Sequence, residues 1–145
     1  LMLWPERPDN WREGARPAQQ AFAAVAAAIS GFEPVRVGAS PGQLRNTRAM
    51  LPPQVELAAI PNNDAWMRDC GPTFVLDKNG RERLVDWQFN AWGGLEGGLY
   101  SPWDLDDRVP QVVAALEGLR PRLEVAARRL QIGGLGPGAR RRVPL

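Results

Sequence analysis

Histidine is missing from this 145-residue sequence, and cysteine occurs once, as Cys70. The chain therefore lacks the commonest general base and the commonest metal ligand of proteins. A single cysteine also excludes an internal disulfide framework and is typical of a reducing compartment. We expect a cytoplasmic protein.

Long apolar segments are missing as well. The Ala-rich run over residues 21–29 is much shorter than the roughly 20 residues that a membrane-spanning helix requires. The first ten residues lack the basic and apolar regions of a signal peptide. Hydrophobic residues make up 44% of the sequence and charged residues 23%, which excludes a mainly disordered or collagen-like chain. These features predict a globular protein that does not bind membranes.

Positive charge is concentrated at one end of the chain. Residues 1–119 contain 11 basic and 15 acidic side chains, whereas residues 120–145 contain seven arginines and one glutamate. The sequence pI of about 9.3 therefore comes from the last segment. Nucleic-acid binding would depend on that segment alone, so we expect no nucleic-acid partner.

The spacing of apolar residues predicts small α/β units. A helix is expected over residues 17–31, with Pro17 in its first turn, and a short strand around Val35 and Val37. A second helix should begin at Ser40, where Ser40 and Gln43 have the spacing of a capping box, and should end before Pro52. Residues 55–60 are the next predicted strand.

The second part of the chain predicts a hairpin and a further helix. Residues 73–77 and 81–87 are expected to pair through a tight primed turn at Asn79-Gly80. A last helix is expected over residues 104–116, although Pro110 lies within it. The residues between these elements, 61–72 and 89–104, are predicted loops, which is where binding sites usually lie.

Trp66 and Asp69 are the candidate substrate-binding residues. A carboxylate meets a planar guanidinium with two parallel hydrogen bonds, and an aromatic face can cover the same cation. Trp-x-x-Asp at the end of a strand can present both groups to one pocket. The alternative from spacing alone is that Trp66 is a core residue and that Asp69 pairs with Arg68 or caps a turn.

Four segments together resemble one enzyme family. LMLWPERPDNWREGARPAQQAF, NNDAWMRDCGPTFV, VDWQFNAWGG and GLYSPWDLDD are similar, in order and spacing, to segments of the agmatine deiminases, which belong with the bacterial-type peptidyl-arginine deiminases. The similarity extends from Leu1 to about Leu119. It implies a partial pentein, an α/β propeller built of ββαβ modules, in which Asp69 binds the substrate guanidinium and Trp66 lines the pocket.

The resemblance also implies groups that this chain does not contain. The family uses a nucleophilic Cys near its far C-terminus, a His-x-Asp pair and a Glu in an EGG motif. Cys70 lies where the family more often has Thr or Ser, so we expect a small buried residue there rather than the nucleophile. No catalytic residue is therefore assigned, and we expect 1–119 to be the N-terminal part of a deiminase domain. Residues 120–145 are expected to be disordered or translated out of frame.

The leading functional hypothesis is hydrolysis of agmatine to N-carbamoylputrescine and ammonia on a polyamine route, without metal or organic cofactor. In this hypothesis the chain is a truncated, inactive piece of a full-length protein that forms a homo-oligomer. Two alternatives remain: a peptidyl-arginine or other guanidine deiminase, and a non-catalytic guanidine-binding fragment.

Two further groups of residues have open interpretations. Trp4 and Trp11 either pack the first module or border the pocket mouth. Asn90, Trp92 and the Gly93-Gly94 pair either line the substrate channel or form a tight turn.

Overall fold

A computed structural model describes residues 1–119. The prediction for residues 120–145 lies outside these residues. Within the described part, the chain is of mixed α/β architecture with two separate sheets. No helix in that part is long and apolar enough to cross a membrane.

The first sheet is parallel and has three strands in sequence order: β1 (Met2–Leu3), β2 (Arg36–Ala39) and β3 (Glu56–Ala59). β1 and β2 pair with Leu3 opposite Gly38, and β2 pairs with β3 along its whole length. Strands β2 and β3 confirm the two predicted strands. Strand β1 was missed because two residues are too short to show alternation.

Two helices connect these strands, α1 (Arg16–Ile29) and α2 (Leu44–Met50). Pro17 lies in the first turn of α1, as predicted, and the buried face of α1 contains Gln19, Ala23 and Ala26. The core between helices and sheet is made of small and β-branched side chains around one tryptophan: Trp4, Ala23, Ala26, Val35, Val37, Ala39, Leu51 and Val55. Parallel strands joined by helices bury their apolar residues in this way.

The predicted capping box before α2 does not form. A one-turn 3₁₀ helix over Pro41–Gln43 precedes α2, and the Ser40 side chain makes no capping hydrogen bond. The Ser40 amide instead donates to Glu6 Oε1 at 3.1 Å. A carboxylate from the segment after β1 therefore takes the place that the Gln43 side chain has in a capping box.

The second sheet is the antiparallel hairpin of β4 (Thr73–Leu76) and β5 (Glu82–Val85), which confirms the predicted pairing. The predicted type of turn, a tight primed turn at Asn79-Gly80, is wrong. Gly80 has φ 72°, but Asn79 is not among the residues with positive φ. The Gly80 amide donates to the Asp77 carbonyl and the Asp77 amide donates to the Arg81 carbonyl, both at 2.9 Å. This is a longer loop with a left-handed glycine at its end.

Three further helices complete the described chain: α3 (Met67–Cys70), α4 (Gly94–Gly97) and α5 (Val109–Leu116). A 3₁₀ turn over Asp106–Arg108 leads into α5, so Pro110 falls in the first turn of that helix, where its missing N–H is tolerated. The last helix is therefore shorter than predicted. Val109 and Val113 of α5 pack with Leu3, Ile60 and Phe89 in a second core.

Candidate functional site

The candidate site begins where β3 ends. Residues 60–66 leave the parallel sheet at its carboxyl edge, and Trp66 directly precedes the single turn of α3. Loops at the carboxyl ends of parallel strands commonly carry binding residues. The predicted loop is therefore present, except that its second half is helical.

Asp64 is the centre of a hydrogen-bond network in this loop. Its side chain is fully buried. Oδ1 accepts from Trp11 Nε1 at 2.6 Å and from the Ala65 amide at 2.8 Å. Oδ2 accepts from Asn10 Nδ2 at 2.6 Å and from Trp66 Nε1 at 2.8 Å. This one carboxylate therefore connects the loop after β1 to the loop after β3.

A second buried carboxylate supports the first. Asp106 Oδ1 accepts from the amides of Asn63 at 2.7 Å and Asp64 at 3.2 Å, and Oδ2 accepts from the Tyr100 hydroxyl. Asn63 Oδ1 accepts in return from the Leu105 amide at 2.8 Å. Burial raises the pKa of the Asp106 carboxyl, and burial together with the neighbouring Asp106 raises the pKa of Tyr100. The segment before α5 thus fixes the backbone of the loop that carries Asp64.

Sequence reasoning missed these residues. Asp64, Asn63 and Asp106 belong to segments quoted for the family resemblance, yet none was singled out. The available signal was the run Asn62-Asn63-Asp64 directly after an apolar strand, since consecutive polar residues there must find partners once they are buried.

Aromatic side chains surround Trp66. Its ring stacks on Trp11 with centroids 5.7 Å apart and planes at 25°. Trp92 meets it edge to face at 5.1 Å and also contacts Phe89 at 5.2 Å. Pairs of these geometries stabilise each other beyond their buried area. Trp66 is half-buried, so part of its indole is exposed to solvent.

The side chain of Asp69 has no partner in the described chain. Its backbone amide donates to the Trp66 carbonyl at 2.9 Å, but its half-buried carboxylate makes no hydrogen bond or ion pair among residues 1–119. It does not pair with Arg68 and caps no turn. An ionised carboxylate in this condition has its acceptor positions available to a cationic ligand.

Cys70 follows Asp69 and is buried, as predicted. Burial is the main reason that the pKa of its thiol is raised, and the charge of Asp106 adds to the effect. A thiol with a raised pKa is a poor nucleophile because it is the thiolate that reacts.

The structure distinguishes the residues whose roles the sequence left open, Trp4 with Trp11 and the segment from Asn90 to Gly94. Trp4 is fully buried in the sheet core, whereas Trp11 is half-buried and bound to Asp64. Residues 90–94 form a tight turn that leads into α4, and in it the Gly94 amide donates to the Asn90 carbonyl at 2.8 Å. A Cβ at Gly93 would lie 2.2 Å from the Gly97 carbonyl carbon, so this turn requires glycine. Trp92, in the same turn, joins the aromatic cluster.

A cleft of about 250 Å³ lies beside this region and is lined by Leu95, Ser101, Pro102, Trp103 and Asp104. It includes neither Trp66 nor Asp69. Among residues 1–119, no group of three or more acidic or cysteine side chains is arranged to hold a metal ion.

Comparison with known proteins identifies close relatives. The family model for Porphyromonas-type peptidyl-arginine deiminase matches residues 1–130. An agmatine deiminase of Pseudomonas aeruginosa (strain LESB58) is 59% identical over 117 residues, which is 80% of this chain and 32% of the relative. An agmatine deiminase of Ectopseudomonas mendocina is 55% identical over 120 residues, 82% of this chain and 33% of that protein.

Solved structures agree with these sequence relatives. The agmatine deiminase of Enterococcus faecalis superposes with a TM-score of 0.78 at 55% identity, covering 81% of this chain and 32% of that one. The chain therefore spans about a third of the length of the relatives that it matches.

Proposed function

We propose that this chain, which belongs to the Porphyromonas-type peptidyl-arginine deiminase family, forms the guanidinium-binding part of an agmatine deiminase. The reaction would be hydrolysis of agmatine to N-carbamoylputrescine and ammonia on a polyamine route. The proposal is supported by the identity of 55–59% to proteins named agmatine deiminase.

The observation that carries the proposal is the Asp69 carboxylate, which has no partner within residues 1–119 and lies one turn of α3 after Trp66. A guanidinium offers paired N–H donors and a positive charge, which match a carboxylate that forms no ion pair in the described part of the chain. The exposed part of the Trp66 indole can cover the plane of the same cation. We propose that Asp69 binds the guanidinium edge and that Trp66 lines the pocket next to it.

These residues bind the substrate and do not break the C–N bond. The sequence has no imidazole, and its one thiol is buried with a raised pKa. The nucleophile and the proton-transfer groups of the reaction are therefore assigned to no residue of this chain.

The remaining properties are proposals from the same relationship. We propose that the described residues belong to a pentein of ββαβ modules, that the protein acts in the cytoplasm, and that the whole enzyme is a homo-oligomer with no nucleic-acid partner. The coarse architecture, mixed α/β, is already visible in the described residues.

Substrate binding is tested by titrating the chain with agmatine, with an N-acylated arginine amide, and with putrescine, which lacks the guanidinium. We expect agmatine to bind and putrescine not to bind. Asp69→Asn should weaken agmatine binding by about tenfold or more, since a charged hydrogen bond contributes about 1.5–3 kcal/mol. Glu33→Gln is the control, because it removes the same charge from an exposed residue after α1, outside the site and the neighbouring cleft. Tighter binding of the arginine amide than of agmatine would favour the peptidyl-arginine alternative.

Deiminase activity is tested in a chimera, in which residues 1–119 replace the matching segment of the Pseudomonas aeruginosa enzyme. We expect the chimera to release ammonia from agmatine and Asp69→Asn to abolish most of this activity. Equal activity of the chimera and its Asp69→Asn variant would refute the assignment of Asp69. An inactive chimera that still folds would favour the guanidine-binding alternative without catalysis.

A further inference from the structure

We infer that Asp64 is a positioning residue that sets the orientation of the Trp66 indole for the guanidinium of the substrate. The inference rests on the proposed function, because it assumes that Trp66 contacts the substrate. It extends the site to a residue whose carboxylate is sealed from solvent and cannot bind the ligand itself.

The Asp64 carboxylate accepts an unusual set of hydrogen bonds. Its two oxygens accept four hydrogen bonds, two on each atom, at 2.6–2.8 Å. Three come from the side chains of Asn10, Trp11 and Trp66, and only one from the backbone. Most side-chain hydrogen bonds in proteins are made to the backbone or to water. A carboxylate that accepts from three side chains is therefore unusual, and it fixes the positions of those side chains relative to one another.

The charge of a buried Asp64 carboxylate favours strong hydrogen bonds to its donors. Asp64 makes no ion pair within residues 1–119, and a buried carboxylate is costly unless donors replace its lost hydration. Hydrogen bonds to an ionised acceptor are stronger than bonds between neutral groups. The two indole N–H groups are therefore held more firmly than they would be by a neutral carbonyl. An amide in place of the carboxylate would place an NH₂ group, which cannot accept hydrogen bonds, against N–H donors.

Asp64 constrains Trp66 in two ways. It binds Trp66 Nε1 directly, and it binds Nε1 of Trp11, whose ring stacks on Trp66 at 25°. One bond fixes the edge of the indole and the stacked neighbour fixes its plane. A cation–π contact requires the cation over the ring face, so ring orientation decides its strength.

The test uses the ¹⁵N-labelled chain, its six indole N–H resonances, and agmatine as the ligand. Assignment comes from Trp11→Phe and Trp66→Phe. In the wild-type chain we expect the Trp11 and Trp66 indole protons to be shifted downfield by their carboxylate acceptor. We expect the methylene protons beside the guanidinium of bound agmatine to be shifted upfield by the Trp66 ring current.

Asp64→Asn should weaken agmatine binding by about twofold to thirtyfold, the range that corresponds to loss of a cation–π contact. It should also reduce the upfield shift of bound agmatine. A merely structural role would lower the folded fraction but leave both the affinity of the folded chain and the bound-state shift unchanged. That result would overturn the inference. Glu33→Gln, which removes a negative charge from an exposed residue outside the site, is the control and should change neither quantity.

Trp11→Phe covers the case in which Asp64→Asn does not fold. It keeps a ring to stack on Trp66 and removes one donor from Asp64. We expect the Trp66 indole resonance to move and agmatine affinity to fall by a smaller factor. If neither changes, the inference is wrong while the proposed function stands. If the wild-type chain does not bind agmatine at all, the proposed function fails and the inference falls with it.

Discussion

The parallel sheet and the β4–β5 hairpin are built from similar residues but differ in burial. Val37 and Ala39 of β2 are buried beneath α1 and α2, whereas Phe74 of β4 is 48% exposed and Leu76 is 70% exposed. All four residues of β4 are exposed. By contrast, α5 packs against β5, whose last three residues are half-buried.

This difference shows that strand formation and strand burial have separate causes. The hairpin is held by local features: the glycine loop, the cross-strand pairs, and the ion pair of Arg83 with Asp77 at 2.9 Å. The parallel sheet depends on helices that return over it from distant parts of the chain. We therefore expect substitutions in the sheet to change the free energy of unfolding far more than equivalent ones in the hairpin.

The largest difference in stability between the two regions is expected when one aromatic ring is removed from each. Trp4→Ala should lower the free energy of unfolding by about 3–5 kcal/mol, because the ring is fully buried in the sheet core. Phe74→Ala in β4 should lower it by about 1 kcal/mol or less. Urea unfolding followed by circular dichroism gives both values. Similar losses in the two variants would show that the hairpin shares one core with the sheet.

A smaller effect is expected at two glycines. Gly38→Ala would place a Cβ 2.6 Å from Ile60 Cδ1, and this crowding should cost about 1–3 kcal/mol. Gly80→Ala has no neighbour within 4 Å and is penalised only by its left-handed φ of 72°, by about 1 kcal/mol. Thermal melts of both variants test whether Gly38→Ala loses more stability than Gly80→Ala. Ile60→Val should recover part of the loss in Gly38→Ala and none in Gly80→Ala.

The pH dependence of stability should report on Asp106, which anchors the loop after the parallel sheet. Burial raises the pKa of its carboxyl in the folded state. The folded state therefore retains this proton at pH values where the unfolded state has lost it, and stability falls as pH rises above the ordinary pKa of 3.8 towards the raised value. In Asp106→Asn this contribution is absent. We expect the free energy of unfolding of the variant, measured in urea, to lie furthest below that of the wild-type chain at low pH. This difference should decrease towards neutral pH.

The smallest effect on stability is expected at the exposed face of β4. Leu76→Lys should change the free energy of unfolding by no more than about 0.5 kcal/mol. It should nevertheless reduce self-association, because exposed apolar strands pair with other chains and lysine at an edge opposes this. Sedimentation velocity at increasing concentration separates the two quantities. Unchanged association would mean that β4 is not the contact surface. Ala28→Lys serves as the control, because it adds the same charge at an exposed position of α1, away from the hairpin.

The sequence alone determined the local elements, because their causes lie within a few residues. Pro17 indicated the first turn of α1, the apolar run of residues 55–60 indicated β3, and Gly80 indicated the hairpin. The guanidinium-binding role of Asp69 and Trp66 came from the family resemblance and remains a prediction. The mixed α/β class was likewise predicted and is confirmed.

The tertiary structure decided which polar groups meet. Ser40 has the spacing of a capping box, but the Glu6 carboxylate comes from 34 residues away and binds its amide instead. Asp64 and Asp69 are both acidic residues of one loop, yet Asp64 accepts two of its four hydrogen bonds from donors more than 50 residues away in sequence, and Asp69 has no partner among residues 1–119. Spacing along the chain cannot distinguish the two, because hydrogen-bond partners of buried groups are selected by proximity in the folded protein.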